Sequence, residues 1–178
     1  LYVVHMADKE GLEACIDAKR DGADVYVETC PQYLEFTCDV YKREDGRNFV
    51  CSPPMKGQES QDALWQALKA GLIDTVATDH CPFQSYEKDW GKDDFTKIPG
   101  GLPGVQTRGT LLYTYGVRTG KITEAQMCRF LCENPAKLYG MWPRKGVIAP
   151  GSDADLVVYD PSADTTITAS DLIANVDY

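Results

Sequence analysis

Within its first thirty residues the chain sets an apolar run, a capped helical stretch and a second apolar run in succession, an order few folds accept. Leu1 to Val4 is apolar and β-branched, which suits a strand buried on both faces. Asp8 offers its carboxylate as the cap of a helix running to about Arg20. Leu12, Cys15, Ile16 and the stem of Lys19 lie along one side of that helix, and Gly22 stands past its end. Asp24 to Thr29 is the next strand. A strand, a helix and a strand in so short a span imply parallel pairing with a right-handed crossover. The alternation returns further on. Asp62 to Ala70 has helical period with Leu64, Ala67 and Leu68 inward, Gly71 stops it, and Ile73 to Thr78 reads as a third parallel-type strand. The class is therefore α/β.

Between these units a loop turns at Glu44-Asp45-Gly46-Arg47, and Asn48 to Cys51 reads as a short extended piece halted by Ser52-Pro53-Pro54. Pro82 to Gly104 is polar and carries glycine and proline with little periodicity; a loop of that length in a compact domain is more often functional than idle. Val105 to Val117 and Glu124 to Glu133 are expected to be helices. Thr123 and Gln126 fit a capping box, and Asn134-Pro135 reads as the cap and first residue of a short restarted helix ended by Gly140. From Gly146 to Asp160 the pattern changes to a hairpin-like antiparallel signal around Pro150-Gly151. A unit of different architecture is thus expected to start at residue 144, which divides the chain into 1–143 and 144–178.

Charge and cysteine content exclude several roles. The net charge is −9, which repels the phosphates of nucleic acid and anionic lipid headgroups, so neither is an expected partner. No stretch approaches the roughly 20 apolar residues that span a bilayer. Seven cysteines without a C-x-x-C pair argue against a zinc ribbon or a redox motif and for a reduced, cytoplasmic chain, with Cys128 and Cys132 as buried thiols. The opening at Leu1-Tyr2-Val3-Val4-His5 has no basic leader, so no signal peptide is expected. A start inside a strand and an end at Tyr178 suggest a piece of a longer protein.

The chemistry has few candidates. The chain has two histidines, His5 and His80, and each ends an apolar strand. Ligands of parallel α/β folds bind where strands end, above the sheet. His5 and Asp79 therefore stand where two strands would present an imidazole and a carboxylate to one metal, both common zinc donors. Taken singly, a histidine or aspartate at a strand end more often tethers a loop, and this spacing is a weak motif. Cys51, Cys81, Trp65, Trp90 and Trp142 are most simply packing or interface residues, and Lys56 and Arg144 surface groups.

Several ordered stretches narrow the choice. Tyr2-Val3-Val4-His5, Glu28-Thr29-Cys30-Pro31-Gln32-Tyr33-Leu34, Cys51-Ser52-Pro53-Pro54 and Ala77-Thr78-Asp79-His80-Cys81-Pro82-Phe83 resemble the dihydropyrimidinase and D-hydantoinase family. Ile98 to Gly104, Asn134 to Gly140, and Pro143 through Leu156 continue the resemblance in the same order, over nearly the whole chain. It implies the C-terminal part of a (β/α)8 barrel, with residues 1 to 80 as its last three strands, and then the return into a small β-sandwich. It implies zinc-dependent opening of cyclic ureides or imides at a pair of Zn2+ ions, with His5 and Asp79 as metal ligands. Metal-activated water would attack the ring carbonyl, and Asp79 would pass the proton to the leaving nitrogen. Ser52 and the backbone around Gly100 match the positions that hold the substrate's imide edge; many members carry asparagine at the position of Gly100.

The same resemblance implies a homo-oligomer, commonly a tetramer. The family's H-x-H pair, its carboxylated lysine, a further histidine ligand and the oxyanion-stabilising tyrosine match nothing in this chain, so the chain alone is expected to be inactive. Two rival readings are a non-enzymatic dihydropyrimidinase-related scaffold, which lacks metal ligands, and another cyclic amidase such as allantoinase or dihydroorotase. The presence of His5 and Asp79 disfavours the first; the contexts of Cys51 to Pro54 and Asp79 to Phe83 disfavour the second.

Overall fold

The computed structural model describes residues 1–178. Its centre is a three-stranded parallel sheet in the order β1 (Tyr2–Val3), β2 (Tyr26–Thr29), β3 (Thr75–Val76). Tyr2 lies opposite Tyr26, and Glu28 opposite Thr75. Helix α1 (Lys9–Arg20) links β1 to β2, with the Asp8 carboxylate accepting from the Gly11 amide at 2.6 Å. The short α2 (Pro31–Glu35) and the longer α3 (Gln58–Ala70) lie between β2 and β3. The expected strand–helix alternation is therefore present, with α3 starting four residues earlier than its apolar period indicates.

Side-chain alternation along β2 sorts its two faces. Val27 packs with Leu12, Leu64, Leu68, Ile73 and Val76 in the hydrophobic core. On the other face the Tyr2 hydroxyl donates to Glu28 at 2.5 Å and pairs with the Thr75 hydroxyl at 2.6 Å, so one polar chain crosses all three strands. Asp74, just before β3, is the main knot of the layer. Its carboxylate accepts from the Val27 amide and from the Lys19 ammonium, each at 2.7 Å, and its carbonyl accepts from the Asn134 side-chain amide at 2.7 Å. One residue thereby ties α1, β2 and the C-terminal helices to β3.

Several local expectations are corrected. Asn48 to Cys51 is extended only in part: Gly46–Phe49 forms a 3₁₀ turn, while Val50 is extended and its carbonyl accepts from the Gly101 amide at 3.0 Å. Asn134 does not restart a helix. Helices α4 (Ser85–Lys88) and α5 (Arg108–Leu112) are followed by α6 (Glu124–Cys128), which runs through a widened π turn (Arg129–Glu133) directly into α7 (Asn134–Leu138). The widened turn comes just before Pro135, which has no amide to donate, and the Asn134 side chain there donates to the Asp74 carbonyl. The capping box at Thr123 and Gln126 is formed. No strand forms between 144 and 178. Val157 and Val158 are 90% and 97% exposed, since a hairpin needs facing strands and this segment meets none. Cys128 and Cys132 are exposed rather than buried, and Trp90, 62% exposed, is no core residue. Trp65 does pack inside, its indole N–H donating to the Leu34 carbonyl at 2.9 Å. No helix is long and apolar enough to cross a membrane.

Candidate active site

Parallel strands share one C-terminal end, and the candidate residues gather there. His5 follows β1 and Asp79 follows β3. Both have left-handed backbones, at φ 40° and φ 49°; Asn175 is the one other non-glycine residue with positive φ. An L side chain in that region costs on the order of 1–3 kcal/mol, and strain of this kind collects at functional sites. Two independent strands thus carry the same unfavourable geometry at the two predicted ligand positions.

Asp79 also has a defined electrostatic neighbourhood. The thiols of Cys30 and Cys51 and the phenol of Tyr33 are pushed up, chiefly by burial, and the negative charge of Asp79 adds to each shift. Cys30 and Cys51 are therefore protonated at neutral pH, in keeping with a packing role. His80, the residue after Asp79, pairs with Leu102 in an isolated parallel bridge, and the Gly101 amide donates to the Val50 carbonyl at 3.0 Å, which brings the end of β3 beside the segment leading to Ser52. Gly100 closes the group: a Cβ at that position would stand 3.8 Å from the backbone of Cys51 and Ser52. Asp79, Ser52 and Gly100 thus share one corner of the molecule, while His5 occupies the same end of the sheet two strands away from Asp79. Strand spacing makes that separation about 10 Å at the backbone.

His80 has a different task. Its Nδ1 accepts from the amides of Gly104 and Val105 at 3.0 and 3.3 Å, so the imidazole ties the 82–104 loop back to the strand end. The Arg108 guanidinium donates to the Val76 carbonyl at 3.3 Å, and the Gln32 side-chain amide to the Thr78 carbonyl at 3.2 Å, which holds the backbone leading to Asp79 from two sides.

The 82–104 loop is itself densely built. A Cβ on Gly91 would meet Ile98 at 2.1 Å, and one on Gly101 would meet the Cys81 carbonyl at 2.4 Å, so both positions require glycine for close approach. Sequence reasoning missed Lys88 in this loop. Its side chain is fully buried, and its ammonium donates to the carbonyls of Val50, Pro99 and Gly101. In sequence it is one lysine in a polar loop, indistinguishable from a solvated one.

An imidazole and a carboxylate are both common zinc donors, and His5 and Asp79 stand at the same end of the sheet. No group of three or more histidine, cysteine, aspartate or glutamate side chains gathers in the chain, so His5 and Asp79 do not by themselves make a complete metal site.

A parallel sheet with its chemistry at the strand ends is the design of barrel hydrolases. The model of the amidohydrolase family matches residues 4–177, and the chain belongs to that family. Within it, the chain is 44% identical over its whole length to the D-phenylhydantoinase of Escherichia coli (strain K12 / DH10B). It superposes on the crystal structure of dihydropyrimidinase from Brevibacillus agri NCHU1002 with a TM-score of 0.97 at 45% identity over 100% of the chain. The D-hydantoinase from Thermus sp. follows, with a TM-score of 0.96 at 42% identity over 99% of the chain. The chain spans 39% of the length of each of the three. Its architecture is accordingly a partial region of a TIM-barrel-type fold.

Proposed function

We propose that the complete protein carrying this chain hydrolyses cyclic amide bonds in dihydropyrimidines such as dihydrouracil and dihydrothymine, or in 5-substituted hydantoins, giving N-carbamoyl amino acids. The activity is proposed for that complete protein, because the matched relatives carry it on chains of which this one spans 39%. The observation that carries the reading is the shared left-handed geometry of His5 and Asp79 at one end of the parallel sheet, with Ser52 and Gly100 beside Asp79. Similarity to hydantoinases along the whole chain supports it further.

His5 and Asp79 would contribute an imidazole and a carboxylate to a pair of zinc ions. Bound zinc supplies a water acidified to a pKa of about 7, available as a nucleophile near neutral pH. The Asp79 carboxylate oxygen takes the proton of the attacking water and returns it to the leaving ring nitrogen, base first and acid second. Oxygen bonds to the carbonyl carbon, the carbon–nitrogen bond breaks, and the nitrogen leaves protonated. Ser52 and the backbone at Gly100 hold the imide edge, which keeps the carbonyl aligned for attack. We further propose a homo-oligomeric, cytoplasmic enzyme with a β-sandwich domain that includes residues 144–178; seven unpaired thiols support the reducing compartment.

The test is an assay of the complete protein on dihydrouracil, a 5-substituted hydantoin and allantoin. Turnover of one of the first two, lost on chelation and regained with zinc, is expected. Turnover of allantoin alone would overturn the substrate class. A protein that binds no zinc and opens no ring would be the scaffold alternative.

A further inference from the structure

We propose that Lys88 is a positioning residue of the substrate-binding edge, its buried ammonium clamping the segment that carries Ser52 to the segment that carries Gly100. The inference rests on the reading of Ser52 and Gly100 as substrate contacts. Three distances carry it: Nζ donates to the Val50 carbonyl at 2.8 Å, to the Pro99 carbonyl at 2.7 Å and to the Gly101 carbonyl at 2.9 Å. An ammonium has three protons, and here each has its own acceptor. Val50 lies two residues before Ser52, while Pro99 and Gly101 flank Gly100. The Val50 carbonyl also accepts from the Gly101 amide at 3.0 Å, so the two segments meet at one atom and Lys88 locks the junction.

A lysine with no exposed surface is costly unless its charge is met. Here backbone dipoles meet it, and the Phe83 ring lies 5.3 Å from Nζ. Burial pulls the ammonium down to about 8, which still leaves it protonated at neutral pH with all three donors in use. The short helix α4 delivers the side chain, its start closed by the Glu87 carboxylate accepting from the Gln84 amide at 2.7 Å. A lysine serving only to fill space would be replaceable by an apolar side chain. One whose three bonds converge on the backbones beside Ser52 and Gly100 sets the distance between them.

The experiment uses the complete, zinc-loaded protein and Lys88→Met, which keeps the stem and removes the donors. KM for the ring substrate is expected to rise about tenfold with kcat changed less than about threefold, the signature of lost binding common to ground and transition states. Zinc content is expected to stay the same. Amide exchange at Gly101 should quicken while α1 amides keep their protection. In a Ser52→Ala background the same change should add less than about threefold to KM, since residues acting as a unit are not additive.

An unchanged Gly101 exchange rate, or a quickened one with wild-type KM, would overturn the proposal. So would full additivity with Ser52→Ala. If the complete protein opened no cyclic ureide, the functional reading would fail on its own, and with it the substrate role given to Lys88; Gly101 exchange would still report whether the clamp exists. Should the methionine variant not fold, Lys88→Gln, whose shorter amide with two protons cannot serve all three carbonyls, takes its place, and a wild-type KM for it would likewise sink the proposal.

Discussion

Strain is concentrated at His5 and Asp79. Both residues hold a positive φ that glycine would adopt freely, so each is a place where stability is given up. Asp79→Gly is therefore expected to stabilise the metal-free protein by about 1 kcal/mol in a denaturant titration, through relief of left-handed strain. In the complete protein the same change should lower kcat by about 10³, because it removes the proposed proton carrier. Loss of stability together with loss of activity would mean that the carboxylate has a structural role instead. Gly100 makes the opposite case. Nothing stands closer than 3.8 Å to a Cβ built there, and the position is not among the left-handed glycines. Gly100→Asn is expected to fold with a Tm within about 2 °C of the parent, a surface-like change by thermal melt. Asp74 is a residue outside the site whose loss should be costly. Asp74→Ala removes two charge-assisted bonds from partly buried donors, and a destabilisation of about 2–3 kcal/mol is expected in urea.

At the scale of elements, α2 carries a titratable load. Burial lifts the Glu35 carboxyl from 4.5 to about 7, with Lys121 opposing the shift. The folded chain thus holds this proton more tightly than the unfolded chain. Stability from this group is present below about pH 4.5 and is lost as pH rises through about 7. Glu35→Gln should flatten that part of the pH–stability profile, measured as the denaturant midpoint at steps between pH 4.5 and 8. Elements also show which signals are local. Helix α1 and the Thr123 capping box were legible because apolar period and cap lie within a few residues of each other. The fate of Asn134 was not, because its partner is a carbonyl of Asp74, distant in sequence. The 3₁₀ turn at Gly46–Phe49 was misread for a related reason: Phe49 and Val50 together resemble a strand start, yet Phe49 belongs to the turn and only Val50 is extended.

For the molecule as a whole, the sheet order leaves an outer edge on both β1 and β3. Unpaired edges and exposed apolar side chains such as Val157, Val158 and Ile173 invite association. The 178-residue chain on its own is therefore expected to aggregate, as size-exclusion chromatography with light scattering would register. A sharp, reversible melt of a soluble monomer would contradict this. In the complete protein, further barrel strands would cover these edges and convert the same surface into core.

The amino-acid order alone determined the parallel α/β class, the capped helices and the candidacy of His5, Asp79, Ser52 and Gly100. Those signals are short-range period and strand-end position, or a run of ordered motifs. Only the folded chain decided that His80 is a loop tether, that Asp79, Ser52 and Gly100 share a corner, and that Lys88 is buried beneath them. Each of these depends on backbone groups that every residue carries alike. A carbonyl has no signature in sequence until the chain has brought a donor to it.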